Sequence, residues 1–442
     1  MRSFVRSLGL IGLGLAIGAT WQSGLGARDN DDAMELYGTF VDAVEQVQSN
    51  YVQPVDRKAL LESALHGMLA DLDPYSSFMN GSDWKQFQKQ VEGSFSGIGV
   101  QLDIDRRTGR PVVVAPLVGS PAYAAGVLAG DVILEVNGKS TEDWTRERAI
   151  EQLTGGPGTG LQLTVMHPGS EKPQTIALER AIIELDTVMG DHRKPDDSWD
   201  FMIDPDRKIG YVRITGFVMR TADDLKEAIE ELKTAGVAGL ILDLRDDPGG
   251  LLSGAVAVSD LFLDQGKIVT TRGRNIRERV FTSEKSGTEL ADESIPIVVL
   301  INQHSASAAE IVAAALQDNQ RAKVVGQRSF GKGSVQNLLS LDDGTNHLKL
   351  TVATYFRPSE KNIHRFKDAK STDEWGVSPD PGLEVAFTDE QYVSWAQSRQ
   401  RRDMLSKANK PKPEEPATRA AQNDLQLAKA LEVLEVDLAA KK

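Results

Sequence analysis

Apolar positions along the chain change their period twice, and each change marks a different kind of structure. Residues 33–50 and 58–72 repeat at helical spacing, and in the second stretch Leu61, Leu65, Met68, Leu69 and Leu72 fall on one face. Asp73-Pro74 ends it, because the residue before a proline is pushed out of the α region. An all-helical N-terminal region of roughly sixty residues is predicted. From residue 94 to 167 the pattern shortens to β runs at 99–104, 111–115, 131–136 and 161–166, punctuated by Gly, Pro and Asn-Gly turns.

Beyond residue 208 strands and helices alternate. The pattern predicts strand 210–214, helix Thr221–Thr234 opened by Thr221-x-x-Asp224 and closed by Gly236, strand 239–244 and helix 252–261. Strand Ile297–Ile301, helix 308–317 and strand 323–326 follow, and β runs 335–341 and 347–356 close the region. Such alternation builds βαβ units around a largely parallel inner sheet. Residues 406–418 are Pro-rich and charged, hence a linker. The final helix, about 419–440, carries an apolar stripe of Leu425, Leu427, Leu431, Leu434 and Leu438. That stripe needs a cover, either self-association or docking onto the N-terminal helices.

The chain start reads as an export signal, with Arg2 and Arg6 ahead of an apolar run at 8–19. No sharp cleavage site is visible, so an uncleaved anchor stays open, although the run is shorter than the ~20 residues a span prefers. Composition narrows the classes further. At 442 residues two or more domains are expected. A net charge of -14 without a Lys/Arg stripe argues against a nucleic-acid surface. The absence of cysteine excludes disulfides, thiolate metal sites, a Cys nucleophile and a lipoprotein anchor.

In a parallel sheet the loops after the strands' carboxyl ends gather along one edge. Three unusual loops follow such strands here: Arg245-Asp246-Asp247-Pro248-Gly249-Gly250, Asn302-Gln303-His304-Ser305-Ala306-Ser307, and residues 327–333 with Lys332. Together they suffice for acyl transfer. A serine hydroxyl attacks a carbonyl when a base takes its proton, and a lysine serves once burial depresses its pKa. A serine at a helix start places the next N–H, that of Ala308, beside it, and Gly250 admits a second oxyanion donor. Ser307-x-x-Glu310 is also a capping box, so Ser307 has a purely structural reading too. His304 remains a rival base. Gly326-x-x-x-x-Gly331-Lys332 resembles a phosphate loop, but position 333 is Gly and a strand follows where a helix is required. Neither a G-x-S-x-G elbow nor H-E-x-x-H occurs.

These blocks, with Asp73-Pro74-Tyr75-Ser76 and Gly130-Asp131-Val132-Ile133-Leu134-Glu135-Val136-Asn137-Gly138, make residues 34–387 resemble the carboxyl-terminal processing (tail-specific) serine peptidases. The resemblance implies Ser307 as nucleophile, Lys332 as general base, Gln336 as the residue orienting that lysine, and the N–H groups of Gly250 and Ala308 as oxyanion donors. It also implies a PDZ domain, a core like that of the crotonases and Clp proteases, and protein substrates cut near apolar C-termini. Gly97, Ile98, Gly99 and Val100 look like the PDZ loop that receives a terminal carboxylate, or else a tight turn between strands. The expected organisation is a multidomain α/β chain. It runs from a signal or anchor (1–27) through an N-terminal helical region (28–92) and a PDZ domain with connector (93–185) to a peptidase core (186–389) and a linker with helical tail (390–442). The expected activity is an exported, periplasmic serine endopeptidase needing no cofactor or metal. Its expected partners are peptide substrates, an adaptor or activator protein, and a second copy joined through the terminal helices. The alternative is a catalytically silent PDZ chaperone or scaffold.

Overall fold

The structure, a computed structural model, describes residues 29–284, 294–341, 344–370, 372–403 and 424–441. The export-signal stretch and the 406–418 linker lie outside them. The chain divides into two compact units, Met1–Lys85 with Gln336–Val352, and Gln86–Val335 with Ala353–Lys442.

In the first unit, helix Asp29–Asn50 precedes helix Arg57–Ala70, whose N-cap Asp56 accepts from Ala59 N–H at 3.2 Å. Of the expected apolar face only Leu69 is buried, while Leu61, Met68 and Leu72 stay exposed. The region is not all helical. Ser77–Met79 forms a strand paired antiparallel with residues 347–349. The Asp73-Pro74-Tyr75-Ser76 motif makes the bend that allows this. Burial opposes ionisation of Asp73, but the Ser76 hydroxyl and the N–H groups of Tyr75 and Ser76 outweigh it and hold its carboxyl below the ordinary range.

The second unit begins with a five-stranded antiparallel path, Val100–Ile104, Pro111–Pro116, Val132–Val136, Gly160–Met166 and Gln174–Glu179. Alternate residues turn inward, with Val113, Ile133, Leu163 and Val165 buried against helix Arg146–Leu153. Ser94–Gly97 pairs with Ala181–Glu184, joining the module's entry to its exit.

The core sheet carries four parallel strands, Ile209–Ile214, Gly239–Asp243, Ile297–Ile301 and Ala322–Gly326, in chain order. Both faces are covered, which explains why these strands read as unbroken apolar runs. Val212, Leu240, Leu242, Val299 and Val324 meet helices Thr221–Thr234, Leu252–Asp260 and Ala308–Asp318. Ile209, Tyr211, Ile241, Val298, Leu300 and Val325 meet the C-terminal helix Leu425–Ala440. Leu427, Leu431 and Leu434 of its stripe are therefore buried inside the fold against this sheet, while Leu425 stays exposed. A local correction concerns Thr221. Arg220 occupies the N-cap position, and the Thr221 hydroxyl instead accepts from Val218 N–H at 2.9 Å and pairs with Thr187.

Candidate active site

Ser307 stands where the strand Ile297–Ile301 turns into helix Ala308–Asp318. Its backbone is at φ 55° and ψ −112°, a left-handed region that non-glycine residues rarely adopt. An ordinary N-cap sits in the β region without strain. Capping does not account for this conformation, and strain of about 1–3 kcal/mol of this kind clusters at functional sites. The residue is 6 % exposed.

The turn 245–250 is laced against this elbow. Asn302 accepts from Asp246 N–H at 3.0 Å and donates to the Asp246 carboxylate at 2.8 Å. Ala306 N–H donates to the Asp247 carbonyl at 2.9 Å. Gly249 lies at φ 92°, and a Cβ there would come within 2.7 Å of Ser307 Cβ and 2.8 Å of Ala308 N. Gly250, at φ 152°, would drive a Cβ to 2.1 Å from the Phe217 carbonyl oxygen. Only glycine fits either position. Among the described residues neither the Gly250 nor the Ala308 N–H donates to a protein acceptor, so both are available to a developing oxyanion. Asp247 is fully buried. Desolvation pushes its carboxyl well above the ordinary range, although one oxygen accepts from Gly249 N–H at 2.7 Å.

Glu310 joins the elbow to the lysine loop, a role that the capping-box signature of Ser307-x-x-Glu310 understates. Its buried carboxylate accepts from Ser307 N–H at 2.8 Å, the reciprocal bond of the predicted capping box. It accepts as well from Lys332 N–H at 2.8 Å, Gly331 N–H at 2.6 Å and the Ser329 hydroxyl at 2.6 Å. Ser307 N and Lys332 N share one oxygen, which leaves them less than about 6 Å apart. Burial pushes Glu310 up to about 7, against the pull of those donors. Phe330 N–H to the Ser305 carbonyl, at 2.9 Å, adds a further tie between the loops.

Other candidates separate cleanly. The Ser305 hydroxyl is consumed in structure, donating to the Leu244 carbonyl at 2.8 Å and accepting from Asn302 N–H at 2.9 Å. His304 lies obliquely against Tyr392, ring centroids 5.3 Å apart, and makes no hydrogen bond to Ser307 among the described residues. Lys332 is half-buried and leads into strand Ser334–Leu341, so the phosphate-loop helix is absent. Gln336 belongs to the first unit. Its amide donates to the Thr351 hydroxyl at 3.2 Å, and Thr351 N–H donates to Ser76, which donates in turn to Asp73. In the β module the Ile98 and Gly99 N–H groups donate to no backbone acceptor among the described residues. The Ile98 and Gly99 carbonyls are held by Ala122 and Leu117 N–H at 2.9 Å each. A Cβ on Gly99, at φ 77°, would strike Ser120.

Comparison with known proteins identifies the family. Residues 208–381 match the model of peptidase family S41, 86–166 that of the PDZ domain, and 23–82 that of the activating protease CtpB N-terminal domain. A carboxy-terminal-processing protease of Bartonella bacilliformis is 39% identical over 77% of this chain and 73% of its own length. A carboxyl-terminal-processing protease of Synechocystis is 35% identical over 76% and 74%, and carboxy-terminal processing protease CtpA of Bacillus subtilis is 36% identical over 73% and 66%. The chain therefore belongs to the carboxy-terminal processing serine proteases of peptidase family S41 and carries that family's PDZ domain.

Proposed function

We propose that this protease is an exported endopeptidase in which Ser307 is the nucleophile and Lys332 the general base, acting on proteins with apolar C-termini. The observation that carries the reading is the strained Ser307 elbow seated on the Gly249-Gly250 turn and tied through Glu310 to the Lys332 loop. Neutral Lys332 takes the Ser307 hydroxyl proton as the oxygen attacks the scissile carbonyl. The N–H groups of Gly250 and Ala308 receive the oxyanion, and protonated Lys332 returns the proton to the leaving amine. Water then hydrolyses the acyl-enzyme by the same route. Gln336 orients the lysine in this reading.

The PDZ loop at Gly97, Ile98, Gly99 and Val100 holds the substrate's terminal carboxylate through its uncommitted N–H groups. The domain limits proposed are 93–185 for the PDZ domain with connector and 186–389 for the peptidase core. The N-terminal segment directs the chain to the periplasm. Among the described residues no helix is long and apolar enough to cross a membrane.

A fluorophosphonate probe tests the assignment. It labels Ser307 in the native chain and fails to label Ser307→Ala, and peptide cleavage disappears with it. Unchanged cleavage by Ser307→Ala overturns the reading, and a native chain that neither labels nor cleaves leaves the PDZ scaffold as the better account.

A further inference from the structure

The turn that faces Ser307 is anchored by a residue nearly two hundred positions away in sequence. Arg245 opens that turn and is 3% exposed. All five of its guanidinium N–H groups are engaged. Nε donates to Asp243 at 2.9 Å and Nη2 to Asp243 at 2.6 Å, which fixes the guanidinium to the end of its own strand. On the other side Nη1 and Nη2 donate to Asp424 at 2.8 and 2.9 Å, and Nη1 donates to Gln426 at 3.2 Å. The Trp395 ring covers one face at 4.6 Å, and its indole N–H donates to Asp424 at 2.9 Å. Asp424 is also the N-cap of the C-terminal helix, accepting from Leu427 N–H at 2.9 Å. It is 2% exposed.

Apolar packing of that helix on the sheet would cover the core without any ion pair. A buried ionic cluster of this kind adds little net stability compared with apolar residues of the same volume, so its consequence is sought in placement. From Arg245 the chain runs directly to Asp246, tied to Asn302, to Asp247, tied to Ala306, and to Gly249 against Ser307. A shift at the root moves the oxyanion donor at Gly250, and misplacement by about 1 Å costs on the order of a hundredfold in rate.

We propose that Asp424 is a positioning residue for catalysis, so that the C-terminal helix aims the oxyanion turn through Arg245. The inference rests on the reading of Gly250 as an oxyanion donor. The helix thereby couples the state of the chain's tail to activity, because displacing it takes Asp424 away from Arg245 and releases the root of the turn that faces Ser307.

The test compares full-length Asp424→Asn, which keeps the helix cap, with Leu431→Ala, which weakens the same helix through its apolar face. Each is assayed well below its unfolding midpoint, with Ser307→Ala alongside. Asp424→Asn is expected to lower kcat ten- to a hundredfold with KM within twofold. Affinity for a peptide boronate, whose tetrahedral adduct needs the oxyanion donors, falls by the same factor, while affinity for a product peptide does not. Leu431→Ala lowers the midpoint and keeps kcat. Wild-type kcat in Asp424→Asn, or an equal kcat loss in Leu431→Ala at matched stability, overturns the inference. Activity in Ser307→Ala instead overturns the reading beneath it.

Discussion

Replacing Glu310 by alanine is the sharpest test of how the site is built. The side chain is wholly buried and accepts four hydrogen bonds, from Ser307 N, Lys332 N, Gly331 N and the Ser329 hydroxyl. Its loss strands three backbone donors, each costing about 1–3 kcal/mol, and the hydroxyl can turn elsewhere. Water entering the vacated space recovers part of this, leaving about 3–6 kcal/mol shared between stability and alignment of the elbow with the lysine loop. We expect kcat/KM for a peptide substrate to fall at least a hundredfold, equivalent to about 3 kcal/mol, with slower fluorophosphonate labelling. Glu310→Gln should be milder. Its carbonyl serves Ser307 N and Lys332 N, its amide faces the adaptable Ser329 hydroxyl, and only Gly331 N–H is opposed. The loss is then about 1–3 kcal/mol.

A pH titration adds an independent check on the same residue. Its folded pKa, about 7, lies above the ordinary 4.5, so folding favours the neutral acid. The associated stability is fully present below pH 4.5, declines as pH rises and is gone above about 7, a change of about 3 kcal/mol that Glu310→Gln abolishes. Wild-type kcat/KM in Glu310→Ala, or identical stability–pH curves for wild type and Glu310→Gln, refutes the reasoning.

Further expectations follow from the same geometry. Lys332→Ala and Lys332→Arg should both be inactive by peptide assay, since a guanidinium does not give up its proton; activity retained in Lys332→Ala but lost in His304→Ala would transfer the base to His304. In the proposed mechanism only neutral Lys332 serves as base, so kcat/KM should rise with pH, and a falling profile counts against it. Gly249→Ala should lose at least tenfold in kcat, because its Cβ comes within 2.7 Å of Ser307 Cβ at a backbone angle that alanine resists; a wild-type rate there would detach the turn from the site. A substrate with a free apolar C-terminus should be cut at least tenfold better than its amide, the loss of charge-assisted bonds at Gly97, Ile98, Gly99 and Val100, and equal rates would remove the PDZ loop from tail recognition.

Local chemistry was enough to read much of this protein. The alternating apolar runs of the core announced parallel strands because both faces of the sheet are covered, and helix Thr221–Thr234 and strand Ile297–Ile301 fall where their periodicity places them. Ser307, Lys332 and the Gly-Gly turn were visible together because loops at one sheet edge converge by topology alone. Strand Ser77–Met79 was hidden, since three residues carry no period and only pairing with residues 347–349 makes them a strand. Glu310 looked like a cap because three of its four donors, Ser329, Gly331 and Lys332, are about twenty residues away in sequence. The C-terminal helix looked unpartnered because an amphipathic stripe states that it needs a cover and never which one. The tertiary structure alone decided that the cover is the second face of the core sheet, and that Asp424 at its start meets Arg245. A buried guanidinium with five donors is satisfied only by groups that folding brings from distant parts of the chain.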